Sequence, residues 1–318
     1  MTEKRRDLPQ LAGGLFLTDA GLETDLIFNH GIDIPEFAAH TLLAHSAGRY
    51  ALAQYFRGFL SLARRRKTGF ILDSQTWKAH SHWAEDLGCN EQELRDINLQ
   101  AIDFIACLRD EYSCNAGPVV LNAVIGPRGD AYAPESVVGA KESEDYHAQQ
   151  IGWLADTEVE MVSALTFTQS SEAIGIVNAA RRVGLPIVVS FTVETDGALP
   201  GGQALDDAIA EVDRATDRAA AYYMVNCAHP DHFSDVLADM ELSQRIRGLR
   251  CNASRCSHEE LDAADELDAG DPREFGVLYR SLVDKMPWIN VLGGCCGADL
   301  RHVTEVAIAV ENGGRSSS

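Results

Sequence analysis

No apolar run in this chain approaches the ~18–20 uninterrupted residues that cross a bilayer. The charged opening "MTEKRRDLPQ" is not followed by the apolar segment of a secretory signal. Positive charge is scarce: 27 basic residues stand against 48 acidic ones, a formal net charge of -21. Such a field repels phosphate backbones and anionic membranes, so nucleic acid and lipid are poor partners without a local basic patch. The one dense basic cluster, "RRRK" at Arg64 to Lys67, follows the apolar "FLSLA" and reads as the solvated end of a helix. A phosphate-binding G-x-G-x-x-G turn after the first strand is also missing, which weakens a dinucleotide-binding reading. The expectation is a cytoplasmic protein whose eight cysteines stay reduced. Grouped cysteines then favour metal or catalysis over a disulfide framework.

What is present is a repeated unit. The 318 residues are 46% hydrophobic and 24% charged, a globular composition long enough for one large domain. Short apolar, β-rich runs recur, each bounded by turn residues and followed by a helical pattern. They are "GLFLTD" ending at Asp19, Gly69 to Asp73, Pro118 to Gly126, Val159 to Leu165, Pro186 to Thr192, Ala221 to Cys227, Ile246 to Asn252 and "INVLGG" from Ile289. In "SEAIGIVNAARRVG", Ala173, Ile174, Val177 and Ala180 have helical spacing, closed by Gly184. Nearly continuous apolar strands separated by helices mean a parallel sheet buried on both faces. Eight such units predict a (β/α)8 TIM barrel, a single domain over residues 1–310, with a disordered tail over 311–318. A doubly wound open sheet also fits the alternation.

The active site of a barrel lies at the carboxyl ends of its strands. Asp19 closes strand one, Cys227 closes strand six, and the Cys295–Cys296 pair of "INVLGGCCGADLRHV" closes strand eight, so all three positions open on one face. Only strand seven separates strands six and eight, and Gly293, Gly294 and Gly297 free the backbone to turn both thiols inward. Three sulfurs with one open tetrahedral position describe a catalytic zinc site, and soft ligands favour zinc over magnesium or calcium. A free thiol of pKa about 8.5 is mostly protonated at neutral pH, whereas a zinc-bound one is a thiolate. Such an electron-rich set suits a substrate thiol attacking an alkyl group better than it suits making hydroxide. The rival readings are coincidence and a structural site completed by Cys251 or by His229 of "CAHPDHF". Cys89, Cys107 and Cys114 read as core filler, Cys256 as an unpartnered loop residue, and His80 and His82 of "KAHSHW" as solvent-facing.

At "GGCCG" the chain resembles the homocysteine S-methyltransferase family. That family pairs a Gly-Gly-Cys-Cys-Gly turn after the last strand, here Gly293 to Gly297, with an Asn-Cys after strand six, here Asn226–Cys227. The segments "LTDAGLETDL", "AVIGPRGDAY", "DYHAQQIGWL" and "VVSFTVETDG" resemble further family elements in order, so the likeness runs from about Leu17 to Val303. It implies one zinc per chain held by Cys227, Cys295 and Cys296, with a small-molecule thiol in the fourth position. It also implies methyl transfer from a small onium donor (betaine, S-methylmethionine or S-adenosylmethionine) to homocysteine, giving methionine. By the same resemblance Asp19 clamps the homocysteine ammonium, the backbone at Ala20 and Gly21 faces its carboxylate, and Asn226 belongs to the substrate site.

Three departures stand out. The family's Phe-Glu-Thr at the end of strand four is Ala164, Leu165 and Thr166 here, so a carboxylate has become Leu165. In the opening element a usual glycine has become Glu23. Either Glu23 supplies the missing charge, or the acceptor is a different thiol that lacks the ammonium group. In "RCNASRC" Cys251 stands where proline is usual, while Asn252 matches. Trp77, Trp83, Tyr132 and Trp153 are the aromatics available to cage a quaternary donor. A noncatalytic zinc or redox-sensing barrel is the reading from a different class.

Overall fold

Eight parallel strands close into a barrel in chain order, each paired with the next and β1 with β8. The computed structural model describes residues 7–112, 117–129, 131, 137–264 and 266–314. The strands are β1 Phe16–Leu17, β2 Gly69–Asp73, β3 Val119–Ile125, β4 Met161–Phe167, β5 Ile187–Phe191, β6 Tyr223–Asn226, β7 Ile246–Cys251 and β8 Val291–Gly294. A longer helix follows each strand, from Ser46–Arg66 after β1 to Leu300–Gly314 after β8. The expected TIM barrel is the observed fold, and the open-sheet alternative is excluded by the β1–β8 ladder.

Local signals explain the element ends. Arg64, Arg65 and Arg66 fill the last turn of Ser46–Arg66, where positive charge complements the helix dipole, and Lys67 caps it in a left-handed conformation. Gly184, at φ 72°, closes Ser170–Val183 as its lack of a Cβ allows. β4 starts and ends two residues later than the apolar run indicates, because its pairing with β5 continues past a bulge between Ala164 and Phe167. The last helix reaches Gly314, inside the segment expected to be a tail; residues 315–318 lie outside the described residues. So do Cys114 and part of the long connection after β3, including Tyr132. Among the described residues no helix is long and apolar enough to cross a membrane.

The two-residue period of the strands sorts their side chains into outer and inner sets. Leu72, Leu121, Val162, Val189, Val225 and Leu249 join the core shared with the helices. Ile71, Val120, Met161, Val188, Met224 and Val291 form a separate cluster that fills the barrel's lower interior. The amino-terminal turn Pro9–Ala12 seals that end through buried Gln10, whose Nε2 donates to Met161 Sδ and Tyr222 Oη. Above the apolar layer the inward positions turn polar. Asn122 donates to Asp73, Ser163 to Asn122, Ser190 to Asn226, and Arg250 to Asp73. This satisfied polar layer lies toward the carboxyl ends of the strands.

Candidate active site

Strand alternation alone would turn Cys227 outward, because Met224 and Asn226 are the inward residues of β6. Cys227 instead adopts φ 54° and lines a cavity of about 470 Å³ at the carboxyl ends of the strands. A non-glycine residue there costs on the order of 1 kcal/mol and persists only when its surroundings hold it. They do: the Cys227 N–H donates to Arg250 O at 3.0 Å, and Asn252 Nδ2 donates to Cys227 O at 3.0 Å. Thr166, at φ 67°, is held by the same network, its N–H donating to Asn226 Oδ1 at 3.0 Å. After β8 the chain turns at Gly297, φ 77°, where an added Cβ would lie 2.7 Å from Asp268 O.

These turns bring the sulfurs of Cys227, Cys295 and Cys296 within 4.8 Å of one another. Cys227 and Cys295 are in bonding contact as a disulfide, with Cα atoms 5.4 Å apart, a departure from the expected free thiols. With that pair reduced, the set is three soft donors on one wall, which fits a zinc ion. Among the described residues no fourth side chain joins them. Cys251 is fully buried on β7, and burial pushes its thiol up to about 12. His229 Nδ1 accepts from the Asp231 N–H at 3.2 Å, capping the helix Pro230–Asp239.

Asp19 reaches the cavity but already has a cation. Arg250 Nη2 donates to its Oδ1 at 2.5 Å, and the Tyr55 hydroxyl lies 3.4 Å from its Oδ2. Arg250 Nη1 donates to Asp73 Oδ2, and Asn122 Nδ2 donates to Asp73 Oδ1 at 2.7 Å. Burial pushes the Asp19 carboxyl up against the pull of Arg250, with Asp73 and Glu23 adding to the rise. Against its own burial, Arg250 is held protonated by the two aspartates. The backbone N–H groups expected at the substrate carboxylate are engaged inside the protein, Ala20 with Tyr55 Oη and Gly21 with Ala298 O, both at 3.1 Å. Gly21 must be glycine: an added Cβ would sit 2.6 Å from Cys295 O. Asn226 is saturated as well. It accepts from Thr166 N and Ser190 Oγ and donates to Thr166 Oγ1 and, at 3.2 Å, to Cys227 Sγ. Asn226 therefore positions Cys227. On the cavity wall Glu23 and Trp77 are half-buried and the apolar Leu165 is buried, and the Trp77 indole donates to Leu165 O at 3.2 Å.

Other expectations are revised. Trp77 and Trp83 line the cavity and Trp153 is not among its lining residues. The Lys78 ammonium lies 3.7 Å from the Trp83 ring centre, so the protein itself covers one aromatic face. His82 is exposed, but His80 is buried with Nδ1 2.5 Å from Tyr146 Oη, because one hydroxyl meets both residues of that turn. Cys107 is exposed and Cys89 half-buried, since each falls on a polar helix face or loop and not in a strand. Sequence reasoning missed Arg250, Asp73, Tyr55 and His258, which lines the cavity with Nε2 2.6 Å from Cys227 O. A usable signal existed for the first two: "LFLTD" and "GFILD" both end in aspartate, and two carboxylates on one barrel rim call for a cation.

The model of the family described as homocysteine S-methyltransferase matches residues 16–310. Among solved structures, the metallated form of the homocysteine methyltransferase MmuM from Escherichia coli superposes with a TM-score of 0.72 at 13% identity, over 94% of this chain and 98% of that one. Its oxidized form gives 0.73 at 15% identity, over 97% and 99%. Its apo form gives 0.64 at 14% identity, over 95% and 97%. At such identities the likeness is one of fold. No curated protein matches in sequence. The family match runs from β1 into the last helix and takes in every element that builds the sulfur cluster: the chain belongs to the homocysteine S-methyltransferase family and is a methyltransferase.

Proposed function

We propose that the chain transfers a methyl group from a small onium donor to the thiol of homocysteine, giving methionine, with one zinc ion per chain as cofactor. The observation that carries this reading is the convergence of Cys227, Cys295 and Cys296 on one wall of the cavity. As thiolates, these residues would hold the ion in a compartment reducing enough to keep Cys227 and Cys295 apart. Bound there, zinc supplies a fourth position at which a thiol is kept deprotonated at neutral pH. Membership of the family supports homocysteine as the acceptor.

The transfer itself is a displacement at a methyl carbon. The acceptor sulfur forms the new S–C bond while the donor's onium centre leaves with the bonding pair and loses its positive charge. Opposite charges cancel along this path, so a wall that excludes water favours it. Phe56, Leu165 and Trp77 supply that wall. Asn226 holds the Cys227 sulfur in place through its amide N–H. The Lys78 ammonium lies over both Trp83 and, at 5.7 Å, Trp77, so it repels a donor cation from both rings where they face it.

The Arg250–Asp19 pair favours one rival, the same transfer to a thiol without an ammonium group. A noncatalytic zinc barrel would need a fourth protein ligand, and the three sulfurs have none among the described residues. The test is zinc-loaded protein incubated with homocysteine and, in turn, betaine, S-methylmethionine and S-adenosylmethionine. Methionine should appear by mass spectrometry with one of them, and X-ray absorption should count an added sulfur when homocysteine binds. Silence with every donor, or a metal already carrying four protein ligands, refutes the proposal.

A further inference from the structure

The charges on the cavity wall do not balance. Six carboxylates line it, Asp19, Asp73, Glu23, Asp262, Glu266 and Asp268, against the cations Arg250 and Lys78, and Arg250 is ion-paired to the first two. Tyr55 and Asn122 complete those two aspartates. Glu23 has no such partner: among the described residues its carboxylate receives a hydrogen bond only from its own backbone. Lys78 is near enough to favour the ionised form of Glu23. Its ammonium nevertheless donates to Glu36 O at 2.6 Å and lies over Trp83. Burial raises the Glu23 pKa despite the pull of Arg250 and Lys78.

A second observation is independent of charge. Gln75 and Asn252 line the same cavity and are each 3% exposed. Their amide nitrogens donate to Asp73 O at 3.1 Å and Cys227 O at 3.0 Å, which fixes the orientation of each amide. Among the described residues their amide oxygens, Gln75 Oε1 and Asn252 Oδ1, have no partner. Buried acceptors without donors are costly, and neither oxygen offers surface that a ligand in the cavity could reach without a shift of the wall.

We infer that the cavity selects an acceptor thiol bearing an ammonium group, and that Glu23, not Asp19, is the seat of that ammonium. The inference rests on the thiol-methyltransferase reading and names its acceptor class. Arg250 makes Asp19 a strut of the barrel mouth, while the loop after β1 carries a carboxylate that Arg250 does not pair. That loop borders the sulfur cluster, since Gly21 is packed against the Cys295 backbone. An amino-acid thiol with its sulfur at the cluster would bring its ammonium to this loop's side of the cavity, which assigns the seat to the acceptor rather than to the onium donor.

The test is calorimetric titration, without donor, of zinc-loaded wild type, Glu23→Gln and Glu23→Asp with homocysteine and with γ-mercaptobutyrate, the same thiol lacking its ammonium. Wild type should prefer homocysteine. Glu23→Gln should weaken homocysteine about 10- to 100-fold, the worth of a charge-assisted hydrogen bond, and leave γ-mercaptobutyrate unchanged. Glu23→Asp should recover part of the loss. Wild type that binds both thiols alike, or neither, overturns the assignment. So does a Gln variant that weakens both equally, or one that weakens betaine while homocysteine is untouched. Homocysteine bound through Glu23 but never methylated would sink the methyltransferase reading and leave the seat standing. Methylation with undiminished homocysteine affinity in Glu23→Gln would do the reverse.

Discussion

Replacing Arg250 with methionine would keep an unbranched apolar stem and delete the charge that two buried carboxylates share. Breaking a buried ion pair from one side costs about 3–5 kcal/mol, because the other charge stays behind. The two aspartates are not equally exposed to this loss. Asp73 keeps the Asn122 amide at 2.7 Å, whereas Asp19 keeps only the Tyr55 hydroxyl at 3.4 Å. Most of the cost therefore falls on Asp19, and about 4 kcal/mol is expected near neutral pH. A carboxyl left without its cation has a folded pKa above its unfolded one. Its stability contribution is intact at low pH and is lost as pH rises through the folded value. The deficit of Arg250→Met, measured by urea unfolding, should grow from mildly acidic to mildly alkaline pH.

A second substitution gives this reasoning a sign to fail on. In the wild-type background Asp19→Asn removes a charged partner from Arg250 and should destabilise by about 1–3 kcal/mol. In the Arg250→Met background the same change removes an unpaired buried charge and should stabilise by about 2 kcal/mol. A deficit below about 1 kcal/mol for Arg250→Met would refute the account of the strut. So would a deficit that does not vary with pH, or Asp19→Asn acting in the same direction in both backgrounds.

His40 offers a test of pH dependence away from the sulfurs. It is 2% exposed, neither ring nitrogen has a partner among the described residues, and burial lowers its pKa from 6.5 to about 4. A lowered histidine pKa leaves stability intact above 6.5 and drains it as pH falls toward about 4, by about 2 kcal/mol at pH of about 5. His40→Leu should reduce the wild-type loss on acidification by that amount in urea titrations, and an identical pH slope in the two proteins would contradict it. Asn226→Ala removes the amide that holds the Thr166 backbone in its left-handed conformation and donates to the Cys227 sulfur. Zinc affinity should fall about 10- to 100-fold in chelator competition, and an unchanged affinity would mean that Asn226 does not position the ligand.

How far the sequence could be read depended on the range over which each feature is decided. Strand runs and stops such as Gly184 are local, and the barrel followed from them. The sulfur cluster is not local, yet it was legible because barrel topology leaves only β7 between the strands that carry its members. Alternation even located Arg250 in principle, since Leu249 and Cys251 both face the helices and the residue between them must face inward. Reading β7 as a plain apolar run drew attention to Cys251 instead. Its pairing with Asp19 and Asp73, 231 and 177 residues away, depends on three inward registers at once, and no short stretch encodes that. Nor does any residue type announce the left-handed backbone at Cys227 and Thr166, which tertiary hydrogen bonds hold, from Arg250 and Asn252 at the first and from Asn226 at the second. Leu165 and Glu23 could each be recognised as departures on their own. Whether one exchanges a carboxylate with the other turns on Arg250 having already taken Asp19, and only the assembled barrel mouth brings those four side chains to one cavity.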